Sequence, residues 1–186
     1  MIGDKLAVID MQKVYESGAP WECDGISGAA DNIARLIESD ALDDISFTRF
    51  VLSEKPYGSW IRYQAQYGSI HDEPARGDLI ESLAPYAREH TCFDKEGYSA
   101  YRSKDFAAWA GSANRLVIAG VVAECCVLAT VLDAADRGAN VIWLTDAIAG
   151  TSADKKRMAE TILAEDFAPH VTMMTTDEYL RANKKD

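Results

Sequence analysis

Apolar runs of four to seven residues alternate along the chain with stretches whose apolar positions return every three or four residues. Residues 5–9 (KLAVI), 44–50 (DISFTRF), 90–93 (HTCF), 115–120 (RLVIAG), 140–144 (NVIWL) and 171–175 (VTMMT) read as strands. Several are apolar at consecutive positions, so both faces are to be buried. A parallel sheet covered by helices demands this, whereas an antiparallel sheet with one wet face does not. Between the strands, 29–39, 78–87, 104–110, 126–137 and 152–165 read as helices and 177–181 as a short terminal one; Ile33, Leu36 and Ile37 make one stripe of the first. Gly138 stands just past Arg137, where a C′ glycine belongs, and the arginine suits the negative end of the helix dipole. This alternation predicts one α/β domain over residues 1–186, in three layers α/β/α with right-handed crossovers. Residues 53–75 (SEKPYGSWIRYQAQYGSIHDEPA) break the pattern with two Pro, two Gly, one Trp and three Tyr. So long an excursion is either a lid or binding wall, or an interface segment.

Composition narrows the partners. With 186 residues and 48% apolar content the chain can bury a real core, so disorder and a disulfide-stapled miniature fold are excluded. Lys and Arg number 19 against 30 Asp and Glu, and a net charge of −11 repels phosphate backbones and anionic membrane surfaces. Neither nucleic acid nor membrane is expected as a partner. The longest apolar run, residues 116–123, falls far short of the ~20 needed to span a bilayer, and Asp4 interrupts the start before a signal-like stretch can form. A cytoplasmic location is expected. Cys23, Cys92, Cys125 and Cys126 include no C-x-x-C pair and no histidine at metal-ligand spacing, which points to free thiols.

In a doubly wound sheet, ligands bind beyond the carboxyl ends of the strands, and this sorts the ionisable residues. Asp10 ends the first strand, Lys95 follows the third, and Cys126 lies in the turn from the fourth into a helix, so all three fall on one edge. His90 and His170 precede their strands at the opposite edge, while His71 sits in the excursion; a Cys–His dyad is poorly supported. A thiol in the first turn of a helix, near an ammonium, is expected to have a lowered pKa. Asp10 is placed to serve as its base, which makes Asp10, Lys95 and Cys126 a constellation for covalent attack on a carbonyl. Taken singly, each has an ordinary reading as well: a turn aspartate, a solvated lysine, a small core cysteine.

Three segments resemble successive signatures of the isochorismatase-like cysteine hydrolases: 6–12 (LAVIDMQ), 93–106 (FDKEGYSAYRSKDF) and 120–150 (GVVAECCVLATVLDAADRGANVIWLTDAIAG). The third is the most specific, with a Gly, a Cys-Val six residues on, an Ala-x-x-x-Gly and a strand ending in Asp-Ala, in that order. The resemblance covers nearly the whole chain. It implies a Rossmann-like six-stranded parallel sheet, homo-oligomers (dimer or tetramer), and hydrolysis of C–N bonds in small amides, with a vinyl-ether-cleaving branch. Carried over by position, the catalytic residues fall on Asp10, Lys95 and Cys126, with Cys125 in a variable packing position. A cis peptide ahead of the nucleophile falls at Val121–Val122, which would aim the amides of Val122 and Cys126 at one point as an oxyanion hole.

The chain departs from that pattern in two places. The usual Thr-Asp before the nucleophile is Ala123-Glu124. After Thr48-Arg49, where metal-binding nicotinamidases of the family carry Asp and His, stand Phe50, Val51 and Leu52, so no metal and no other cofactor is expected. Arg49 is either a binder of an anionic substrate group or the partner of a carboxylate. Trp60, Tyr63, Tyr98 and Tyr101 are expected as walls of the substrate pocket, or else as core or interface residues. The resulting expectation is a cysteine hydrolase that cleaves a C–N bond of a small amide or carbamoyl compound through a thioester. The rivals are an isochorismate-type vinyl-ether hydrolase and a catalytically silent binding protein of the same fold.

Overall fold

The computed structural model describes residues 3–184. Six parallel strands, β1 (Lys5–Ile9), β2 (Asp44–Phe50), β3 (Thr91–Lys95), β4 (Leu116–Gly120), β5 (Val141–Ile148) and β6 (Val171–Met174), form one sheet in the order β3-β2-β1-β4-β5-β6. The chain runs outward from β1 on one side and from β4 on the other, so the order reverses between these two central strands. That crevice is where a doubly wound sheet opens for a ligand.

The two-sided burial expected of the strands follows from their alternation. In β1, Leu6 and Val8 join one core layer with Phe47, Val117 and Ile142, beneath Ile33 and Leu36 of helix α1 (Ile26–Ile37). Ala7 and Ile9 face the other layer with Ile118, Trp143, Phe106, Val131 and Leu163. All four β1 side chains from Leu6 to Ile9 are fully buried. Burial of each large one is worth ~1.5–3 kcal/mol, which anchors the strand that carries the site. Gly120 closes β4 at φ +111°, and a Cβ there would lie 2.1 Å from the Ile9 carbonyl oxygen. Only glycine lets β4 approach β1 so closely at its carboxyl end.

The structure corrects several element boundaries. The excursion after β2 contains a helix, α2 (Ser59–Tyr67), and two 3₁₀ turns, Gly68–His71 and Pro74–Gly77. Its inward stripe is Trp60, Tyr63 and Tyr67, at helical spacing but aromatic where aliphatic residues were sought. Of the predicted helix 78–87 only α3 (Ala84–Ala87) forms. Pro85 suits a first turn alone, and the preceding residues pair with the chain after β1 through Ile80 N–H donating to Met11 O at 2.9 Å. Strand β3 runs on to Lys95, in register with Phe50, and β5 runs past Leu144 to Ile148 across an irregularity opposite β4. Helices α4 (Lys104–Ala110), α5 (Leu128–Asp136), α6 (Ala153–Asp166) and α7 (Thr176–Ala182) complete the chain, and α5 is preceded by a π turn at Ala123–Val127. Gly138, at φ +78°, ends α5 as expected, with the Ala139 N–H reaching back to Ala134 O. Among the described residues, no helix is long and apolar enough to cross a membrane.

Candidate active site

Asp10 leaves β1 at φ +47°, a left-handed conformation that Asp tolerates better than most residues and that turns its carboxylate across the sheet edge. Thr48 of β2 holds the turn: Asp10 N–H donates to the Thr48 carbonyl at 3.2 Å, and the Thr48 hydroxyl donates to Asp10 Oδ1 at 2.7 Å. The other oxygen, Oδ2, lies 2.7 Å from Lys95 Nζ, and both side chains are wholly buried. Lys95 Nζ also donates to the carbonyls of Gly97 (2.8 Å) and Tyr98 (2.9 Å), which curl back over the end of β3. Burial disfavours the ammonium, but the charges of Asp10 and Cys126 outweigh it and hold the Lys95 pKa above its ordinary value.

Cys126 faces this pair from the π turn. The Cys126 carbonyl accepts from the Thr130 hydroxyl at 2.7 Å, and Thr130 Oγ1 in turn accepts from the Ala100 N–H at 2.9 Å. This joins the Cys126 backbone to the turn that caps Lys95. The Val121–Val122 peptide is cis. The Val122 carbonyl accepts from the amides of Cys125 (2.9 Å) and Val127 (3.1 Å), while among the described residues no acceptor occupies the Val122 N–H.

The expected lowering of the thiol pKa is reversed. Burial pushes Cys126 up, Lys95 pulls the other way and Asp10 pushes up again, so the resting group is a neutral thiol. The Lys95 ammonium lowers it less than burial raises it, and that ammonium already has a carboxylate partner. Formation of a thiolate would therefore need a base, and the Asp10 carboxylate is near enough to hold the thiol's pKa up.

A cavity of about 670 Å³ opens above the thiol, within the range of small-molecule sites. Cys126, Cys125 and Val122 form part of its lining, with Tyr15, Trp21, Phe50, Tyr63, Tyr67 and Tyr98 around them. The rings are in mutual contact: Tyr15 stacks on Trp21 at 5.9 Å, Trp21 meets Tyr67 edge-on at 6.1 Å, and Tyr63 lies 5.0 Å from Tyr67. Of the four expected wall aromatics, Tyr63 and Tyr98 line the cavity. Trp60 backs the wall, packed on Tyr63 at 4.9 Å and Tyr98 at 5.3 Å. Tyr101 lies elsewhere, buried edge-on against Phe106 with the Arg137 guanidinium over its ring.

Arg49 also lies outside the cavity. It alternates to the other face of β2 and makes a two-pronged pair with Asp94 (2.8 and 3.0 Å), so the structural reading of this residue is the one the geometry adopts. Tyr15 and Trp21 were not singled out from the sequence; they follow β1 in a stretch without periodicity, and the fold alone returns them to the cavity. Tyr15 is pushed well up by burial and by the nearby Cys126 and Asp10 charges, and so stays a neutral phenol. The Ala123-Glu124 departure has a local consequence, because the longer carboxylate reaches over to accept from both the backbone and the hydroxyl of Thr151. His90 and His170 lie at the opposite edge of the sheet, ahead of β3 and β6. At the end of β2, Phe50 supplies a ring to the cavity wall where a metal site would need a ligand. Among the described residues no cluster of His, Cys, Asp and Glu is placed to hold a metal ion.

A doubly wound parallel sheet, with an acid, an ammonium and a thiol converging at its switch point, places the protein among α/β proteins with a candidate site at the carboxyl edge. The Isochorismatase domain model matches residues 5–178, and the chain belongs to that family of hydrolases. No curated protein gives a significant match to the sequence. Among solved structures, the chain resembles a cysteine hydrolase from Pseudomonas syringae pv. phaseolicola 1448A (23% identity, TM-score 0.79, covering 96% of this chain and 91% of that one). It also resembles a nicotinamidase from Bacillus subtilis (17%, 0.75, 92% and 99%) and an isochorismatase family protein from Desulfovibrio vulgaris subsp. vulgaris str. Hildenborough (16%, 0.79, 98% of each). At these identities the likeness concerns the fold.

Proposed function

We propose that this hydrolase is a cysteine amidohydrolase that cleaves a C–N bond of a small amide or carbamoyl compound through a thioester. The observation that carries the reading is the fully buried Asp10–Lys95 pair set against the Cys126 thiol on the cavity floor. Asp10 takes the thiol proton as Sγ attacks the carbonyl carbon, and the charge developing on the substrate oxygen is met by the N–H groups of Val122 and Cys126. Lys95 balances the single negative charge as it passes from the Asp10 carboxylate to Sγ and on to the substrate oxygen. Collapse of the tetrahedral intermediate breaks the C–N bond, with the Asp10 proton passing to the leaving nitrogen. Water, deprotonated by Asp10, then hydrolyses the thioester and regenerates the thiol. The nicotinamidases among the structural neighbours are amidases by name, which supports amide chemistry for this scaffold.

The vinyl-ether reading fares worse on charge. Isochorismate is a dicarboxylate, and among the described residues no Arg, Lys or His lines the cavity to meet it. The test is ammonia release from a panel of small amides, carbamoyl compounds and ureides, beside Cys126→Ala at matched concentration. Release that vanishes in the variant is expected, with loss of ~10³-fold or more for removal of a nucleophile. Release that survives the substitution overturns the mechanism, and silence across the panel with turnover of a vinyl ether overturns the reading. Silence on both leaves the silent binding protein.

A further inference from the structure

Resting on the amidohydrolase reading, we propose that the substrate carries a cationic group, a quaternary or protonated amine, on the far side of its scissile amide. Six aromatic residues line the cavity, and among the described residues the one Asp, Glu, Lys, Arg or His in that lining is Glu22, exposed at its edge. Trp21 and Glu22 are consecutive, so one loop brings a large aromatic residue and an exposed acidic one to the same cavity edge. That loop is held in place: Glu22 accepts from the Ser17 hydroxyl and from the Gly18 N–H, each at 2.9 Å, and Trp21 N–H donates to Val14 O at 3.1 Å. These contacts keep Glu22 ionised, the Gly18 N–H lowering its pKa most. The rings of Tyr15, Trp21, Tyr67 and Tyr63 form an unbroken series, which is the arrangement that receives an ammonium through its quadrupoles.

The alternatives fit less well. An anionic substrate would face Glu22 and a chain of net charge −11, while Lys95 is committed to Asp10 and two carbonyls and Lys155, outside the lining, donates to the Thr151 hydroxyl at its edge. A neutral apolar amide would use the rings but leave the Glu22 carboxylate without a role in binding. A cation uses both and is also drawn in by the field of the protein.

Three amides of one shape decide the matter: trimethylammonioacetamide, its neutral tert-butyl isostere, and a carboxylate analogue. Binding is measured calorimetrically on the Cys126→Ala protein, where no turnover intervenes, and KM on the wild type. The cation is expected to bind about tenfold or more tighter than the isostere, with the anion weakest, a ratio in keeping with combined cation–π and ionic attraction. Both Glu22→Gln and Trp21→Leu should narrow the cation-to-isostere ratio, and KM should carry the change with kcat following little. Equal or tighter binding of the isostere, or no binding of the cation at millimolar concentration, overturns the proposal. Hydrolysis of the isostere in that case leaves the amidohydrolase reading standing. Conversely, selective cation binding without release from any amide by the wild type upholds the cation site and overturns the hydrolytic reading.

Discussion

Asp94 and Lys95 are neighbours on β3, and each belongs to an ion pair with a residue at the carboxyl edge, yet the two pairs differ in kind. Asp94 points to the outer face and meets Arg49 with about half of each side chain in water. Lys95 points inward and meets Asp10 with neither side chain exposed at all. One step along a strand reverses the face, and with it the dielectric in which the charges interact. An exposed pair adds little to stability, because water screens the charges and ordering two side chains costs entropy. The buried pair gains little over an apolar isostere either, because desolvation offsets attraction, but removal of one partner strands the other. Stability alone gives little reason to bury such a pair, and on the proposed mechanism it is the inner one that serves the reaction.

The comparison can be broken from the inside first. Lys95→Met leaves Asp10 buried without its counter-charge; a loss of ~3–5 kcal/mol in urea unfolding is expected, together with loss of ammonia release. Lys95→Met as stable as the wild type would mean that the carboxylate is not charged in the fold.

Thr48→Val removes the hydroxyl donor from Asp10 Oδ1 at nearly constant volume. The expected cost is ~1.5–3 kcal/mol, the range for a hydrogen bond to a charged group, with kcat falling more than KM rises. Alkaline unfolding sharpens the contrast. Lys95 has its pKa raised above 10.5 in the fold, so above that pH the unfolded chain gives up the proton while the folded one retains it. Stability is then fully present below pH 10.5 and falls as pH rises, by up to about 1.4 kcal/mol per pH unit for this group. Cys126, raised above its ordinary 9.0, acts with the same sign from a lower pH. Comparing pH–stability curves of the wild type, Lys95→Met and Cys126→Ala separates the two contributions. The smallest effect belongs to the outer pair: Asp94→Asn should change stability by less than about 1 kcal/mol and leave ammonia release intact.

Much of this was legible in the sequence. The strands are apolar on consecutive positions, and that alone sets a parallel sheet with helices on both faces. Once the strands are placed, the rule that ligands bind at their carboxyl ends brings Asp10, Lys95 and Cys126 to one edge, as the structure does. The helix α2 went unread because its buried stripe, Trp60, Tyr63 and Tyr67, is aromatic and only half covered, so no aliphatic periodicity announces it. Arg49 and Tyr101 turned on which face of an element each residue takes, and at a strand end or in a 3₁₀ turn a single residue of phase decides that. The thiol pKa depends on burial depth, a property of the assembled molecule; the local sequence around Cys126 shows the helix start but not how much protein covers it.

Thr130 gives the site a mechanical property. Its hydroxyl bridges the Cys126 carbonyl and the Ala100 N–H, and the chain from Ala100 runs back through the two carbonyls that grip Lys95. The Cys126 backbone and the Lys95 ammonium, 31 residues apart in sequence, are thereby linked through one side-chain oxygen. A displacement of the 97–100 turn would strain the hydrogen bonds to both groups at once.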